Sequence, residues 1–103
     1  MKKRFMKKII LVLVIALVAM GVAFAQSSRP SNPAVSLERA IEIASADLAA
    51  RGISATFRTH SGMSWERWQW VWELEFRPTN QRGVIEYYIN VHTGAIVKFE
   101  WDR

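Results

Sequence analysis

Glu73 and Glu75 stand two residues apart in the run Trp68 to Arg77. In an extended strand that spacing places both carboxylates on one face, about 6.5–7 Å apart. A pair at that distance suits general acid and base work at a glycosidic bond. A catalytic acid also needs a cleft and a raised pKa, and a chain of 103 residues leaves little room for a cleft. The preferred reading is a solvated face whose carboxylates pair with arginines of neighbouring strands, such as Arg58 or Arg77. His60 and His92 have no second histidine at ligand spacing and no H-E-x-x-H context. Ser61 and Ser64 lack the G-x-S-x-G setting of a hydrolase nucleophile. There is no cysteine, which excludes a thiol nucleophile, a Cys-based zinc site and a disulfide scaffold. No residue is therefore assigned a catalytic, cofactor-binding or metal-binding role, and the chain is read as a non-enzyme that needs no cofactor.

The aromatic residues are the second candidate. All five Trp, both Tyr and three of the five Phe lie after Gln26. Exposed indoles stack on sugars or clamp peptides, but Trp68, Trp70 and Trp72 alternate in phase with Leu74 and Phe76, so this face is read as core. Trp65 and Trp101 fall outside that row and are the candidate partner-binding residues, since Trp is enriched among interface anchors.

Charge locates the chain. The formal net charge is +5, but Lys2, Lys3, Arg4, Lys7 and Lys8 supply five of the fourteen basic residues without a nearby acid. From Gln26 onward nine basic residues face nine acidic ones. The basic pI thus reports the leader, and nucleic acid is excluded as the expected partner. Residues 1–25 read as a signal peptide: a basic start, the apolar run Ile9 to Met20, and the A-x-A site Ala23-Phe24-Ala25. The run from Ile9 to Ala25 is 17 residues, short of the roughly 20 that span a bilayer. Cleavage after Ala25 and a secreted or periplasmic location follow as expectations, with membrane contact only through the leader.

The remaining elements must position these residues. Residues 26–35 read as a linker, with Pro30 and Pro33 among small polar residues. Residues 36–51 predict a helix: Ser36 caps it, Glu38 lies in its first turn, and Leu37, Ala40, Ile41, Ala44 and Leu48 form one stripe. Asp47 and Arg51 are an i,i+4 pair, and Gly52 followed by Ile53 fits a Schellman ending. The period then falls to two. Strands are predicted over 53–58, 68–77, 84–89 and 95–101, with turns at His60-Ser61-Gly62, Pro78 to Gly83 and Asn90 to Gly94. On the last strand Val97, Phe99 and Trp101 form the more apolar set, with Ile96 opposite. The fold class is α+β: one N-terminal helix packed on a four-stranded antiparallel sheet, the Ala-lined helix against the Trp-lined strand.

The order of helix, glycine and strand, then Val71-Trp72-Glu73-Leu74-Glu75-Phe76, Tyr87-Tyr88-Ile89-Asn90 and Thr93-Gly94-Ala95-Ile96-Val97, resembles the PepSY domain over roughly residues 36–100. The family shows a "V-[YW]-x-V-x-[FV]" strand and a closing "V-D-x-x-T-G-x-[IV]" hairpin. Asn90 departs from it by standing where Asp is usual. The resemblance implies a PepSY-like domain over 36–103 that is non-enzymatic and binds protein, with a secreted metallopeptidase as the expected partner and inhibition as the expected effect. No peptidase domain follows within these residues, so the target is expected to be a separate molecule. The alternative is a cell-envelope module that self-associates through a sheet edge.

Overall fold

The computed structural model describes residues 28–103; the predicted signal peptide lies outside them. Helix α1 spans Leu37–Ala50. The Ser36 hydroxyl accepts the Arg39 N–H at 3.1 Å, which satisfies one of the amides that a first turn leaves without a carbonyl. At the other end Gly52 turns left-handed, its N–H donating to Ala49 and that of Ile53 to Leu48. These are the two bonds of a Schellman motif.

Four strands follow: β1 Ala55–Glu66, β2 Gln69–Pro78, β3 Val84–Asn90 and β4 Ile96–Asp102. They pair antiparallel in sequence order, β1-β2-β3-β4, leaving β1 and β4 as edges. Alternation puts Leu74, Phe76, Ile85, Tyr87 and Ile89 on one face, where they meet Ala40, Ala44 and Leu48 of α1 in a single buried cluster. Ala40 and Ala44 are fully buried, and their small size lets the helix lie close to the ring-bearing sheet. Phe57, Phe76, Tyr87 and Phe99 form a row of ring contacts across all four strands, with centroids 5.6, 5.8 and 5.3 Å apart. Offset and edge contacts of this kind add to the burial of apolar area.

Three expectations are corrected. The first strand does not end at a turn over residues 60–62. It runs on to Glu66, absorbing Arg58 and Ser61 as single extra residues between pairs Phe57↔Phe76 and Thr59↔Glu75, and between His60↔Leu74 and Gly62↔Glu73. Each bulge breaks the period of two without ending the ladder, so the sequence there reads as a loop. Trp68 is not core: it sits in the β1–β2 turn, 72% exposed. On β4, Ile96 and Phe99 share a face because Val97 is an extra residue, Ile89 pairing with Ile96 and Tyr88 with Lys98.

The segment ahead of the helix is tied down. Residues 28–36 form no helix or strand, yet Val35 is only 8% exposed and belongs to the core cluster. Its N–H donates to Val91 at 2.9 Å and its carbonyl accepts the Trp72 indole N–H at 2.8 Å.

Candidate protein-interaction surface

The face of the sheet away from the helix carries the acids in matched pairs. Glu75 lies 3.4 Å from Arg58, the residue displaced by the first bulge. Glu73 accepts the Ser64 hydroxyl at 3.2 Å. Lys98 bridges Glu86 at 3.1 Å and Glu100 at 3.0 Å, with its ammonium 4.6 Å from the Tyr88 ring centre. The hydrogen bond to Glu100, opposed by burial and reinforced by Glu86, pushes the Lys98 ammonium well above its ordinary value. A face arranged this way holds charge in place, with like-charged neighbours such as Glu86 and Glu100 neutralised by the lysine between them. Among the described residues no group of three or more His, Cys, Asp or Glu could hold a metal ion. His60 is exposed on β1, its Nδ1 accepting the Gly62 N–H at 3.0 Å and its ring edge-on to Trp72. His92 is exposed in the β3–β4 turn.

The helix-side face is only partly covered. Helix α1 rests on β2 and β3, so the apolar row of edge strand β1 extends past it. The register places Phe57, His60, Met63 and Trp65 on that row beside Phe76, Leu74, Trp72 and Trp70. Phe57 is 38% exposed. Trp65 is half-buried, its ring edge-to-face with Trp70 at 5.7 Å. Arg29, in the segment ahead of the helix, donates to the Met63 carbonyl at 3.2 Å.

Trp68 crowns this hairpin. Glu66 pairs with Gln69, so Arg67 and Trp68 alone make the turn, with φ of 50° and 66°. Positive φ at both central residues is the mark of a type I′ turn, which is usually built from Asn-Gly. An ordinary side chain in this region costs roughly 1–2 kcal/mol per residue. Arg67 braces the turn by donating to the Val97 carbonyl at 3.0 Å.

The two candidates read from the sequence are not brought together. Trp65 lies on β1 and Trp101 on β4, the opposite edges of the sheet. Trp101 is half-buried against the core, donates its indole N–H to Arg82 at 3.1 Å, and carries the Arg103 guanidinium 4.0 Å from its ring centre. Sequence reasoning missed Trp68. The signal that would have found it is the need for a turn between two strands that pair from 66 and 69 outward, where neither turn residue is of a turn-forming type.

Residues 34–100 match the family model described as peptidase propeptide and YPEB domain. The chain belongs to the PepSY family. Neither a curated protein nor a solved structure gives a significant match. PepSY domains are associated with peptidase propeptides and inhibitor modules, are generally non-catalytic, and are typically extracellular or periplasmic. No helix among the described residues is long and apolar enough to cross a membrane.

The closing hairpin of this PepSY domain shows what its motif does. The Asn90 carboxamide oxygen accepts the N–H groups of His92 at 2.8 Å and Thr93 at 2.9 Å. The Thr93 hydroxyl accepts the N–H of Ala95, and Gly94 donates to the Asn90 carbonyl. Asn replaces the usual Asp without losing either accepted bond, and its amide group adds a bond to Gln69 Oε1 at 2.8 Å, tying the β3–β4 turn to the start of β2.

Proposed function

We propose that this PepSY domain is an exported, non-catalytic binding module that restrains a secreted metallopeptidase by steric occlusion. Export is through the signal peptide of residues 1–25, cleaved after Ala25, so that the domain acts outside the cytoplasm. One observation carries the binding role: β1 is an edge strand with no strand on its outer side, and its helix-side row leaves Phe57 38% exposed and Trp65 half-buried, while the carboxylates of the opposite face are held in ion pairs and hydrogen bonds. An extended segment of a partner can add to such an edge, with aromatic side chains giving the contact its specificity. Trp65 lies on that surface; Trp101 marks the second edge and serves a contact there.

The test is inhibition. Purified residues 26–103 are titrated into a panel of secreted metallopeptidases, and activity on a protein substrate is followed. Saturable inhibition without cleavage of the domain is the expected result; unchanged activity across the panel defeats the reading. The mass of the exported protein checks the cleavage site, since retention of Ile9 to Met20 would exclude it.

A second reading rests on β4. From Lys98 to Asp102 this edge pairs with β3 without a bulge, which leaves its outer side regular enough to meet a second copy. Dimerisation that rises with concentration, with peptidases unaffected, would favour that reading.

A further inference from the structure

The β1–β2 turn is disfavoured by its own residue types. Arg67 and Trp68 both take positive φ, where Asn and Gly would sit without strain. Neither is there because the core needs it: among the described residues Trp68 is the most exposed large apolar side chain at 72%, and Arg67 is exposed as well. The remaining four indoles are half-buried. Strain held at an exposed position points to function. Here the Arg67 bond to Val97 ties the turn to β4, and one large ring stands out from its tip, its backbone already set before binding.

We infer that Trp68 is the anchor of this domain, a projecting indole that enters an apolar pocket on the restrained peptidase. The inference rests on the reading under Proposed function and deepens it. A single convex indole calls for a concave, desolvated receptor, the setting in which Trp supplies most of an interface's binding energy. Charge argues against a bilayer as the receptor. Residues 26–103 carry nine basic and nine acidic residues, Arg67 is already committed to Val97, and Glu66 adjoins it, so no basic patch draws the tip to anionic lipid. A second copy is disfavoured too, because the regular edge for self-pairing lies on β4, at the far side of the sheet.

Three variants, read by thermal unfolding and by inhibition, decide it. Replacing the turn with its strain-free sequence, Arg67→Asn with Trp68→Gly, is expected to raise Tm by several degrees. Trp68→Ala is expected to weaken inhibition of the bound peptidase by about 30-fold or more, with Trp68→Phe retaining most of it. An unchanged or lower Tm in the Asn-Gly variant would mean that Arg67 and Trp68 serve folding, and would overturn the inference. So would full inhibition by Trp68→Ala, in which case the proposed function stands without this anchor. Failure of the unsubstituted domain to inhibit any peptidase removes both. Co-sedimentation with vesicles of equal parts phosphatidylglycerol and phosphatidylcholine, lost on Trp68→Ala, would assign the indole to a bilayer and overturn the protein pocket.

Discussion

The Tyr87 hydroxyl donates to Asp47 Oδ2 across 2.6 Å, joining the buried centre of β3 to the last full turn of α1. Asp47 also accepts from Arg51 Nε at 2.7 Å, and the Arg51 guanidinium lies 3.8 Å from the ring centre of Phe99 on β4. One carboxylate thus holds helix, sheet and helix end together. Tyr87→Phe keeps the ring and removes the bond. Because the Asp47 side chain is 23% exposed and retains Arg51 and water, the loss is expected to be about 1–2 kcal/mol, read from urea unfolding with an unchanged slope.

The same pair sets the response to pH. Burial works to raise the Asp47 carboxyl, but the hydrogen bonds from Tyr87 and Arg51 and the charge of Arg51 outweigh it, so it is lowered from 3.8. A depressed carboxyl contributes stability above its unfolded value and loses it as pH falls through the folded value. The stability gap between the parent and Asp47→Asn should therefore narrow in acid, below about pH 4. Tyr87 moves the other way: burial, then the bond to Asp47 and its charge, push it far above the ordinary 10.0. Its contribution is complete below pH 10 and is lost only as pH rises through the folded value. In an alkaline titration its phenolate absorbance should appear with unfolding, not before it.

Trp72 and Trp68 share a parity in the sequence and have opposite roles. The Trp72 indole N–H satisfies the carbonyl of buried Val35. Trp72→Phe preserves a ring but orphans that carbonyl, at an expected cost of about 1–3 kcal/mol. Trp68→Ala at the exposed tip should change stability by no more than about 0.5 kcal/mol. Chemical unfolding of both variants checks the contrast. Quenching by a soluble agent should lose its most accessible component in Trp68→Ala alone.

These contrasts also mark where the sequence could be read. Helix α1 was legible because every local signal agreed: the Ser36 cap, the Ala40-Ala44-Leu48 stripe, the Asp47–Arg51 pair and the Gly52-Ile53 ending all recur in the structure. Strands β2 and β3 were legible from alternation, and β4 in its extent but not in its facing, because the extra residue Val97 shifts its phase. The far half of β1 was not, since two bulges shift the phase at Arg58 and Ser61 and a shifted phase looks like no phase. Val35 looked like linker because a short apolar pair just after two prolines has no period; it is tied in by hydrogen bonds to Val91 and Trp72. The tip of the candidate surface was hidden for a related reason. Trp68 continues the alternation of β2 by one residue, and only the left-handed geometry of Arg67 and Trp68, which their residue types disfavour, takes it out of the strand.

Two glycines with positive φ should respond differently to alanine. Gly52 has open space where a Cβ would go, whereas at Gly83 the Cβ would meet the Asp102 carbonyl at 2.5 Å and Trp101 Nε1 at 2.9 Å. Gly52→Ala then costs only the conformational strain, about 1 kcal/mol. Gly83→Ala adds displacement of the last strand and of Trp101, so its unfolding midpoint should fall well below that of Gly52→Ala. Equal midpoints would mean that the C-terminal end of β4 is free to shift.

Asn90 offers the sharpest test of the hairpin. Its side chain accepts from two main-chain N–H groups and donates to Gln69. Asn90→Ala removes all three bonds and leaves the turn amides to water, at an expected cost of about 1–2 kcal/mol. Asn90→Asp, the usual residue of the family, keeps both accepted bonds and can still bond Gln69 if that amide turns its NH₂ group toward the carboxylate. The aspartate should therefore stay within about 0.5 kcal/mol of the parent at neutral pH. It should weaken toward the alanine variant as acid protonates the carboxylate, because the protonated group is a poorer acceptor for His92 and Thr93. Thermal unfolding of the three proteins at neutral and acidic pH measures this. An aspartate variant as unstable as alanine at neutral pH would show that the donated bond to Gln69, and not the pair of accepted bonds, holds the turn.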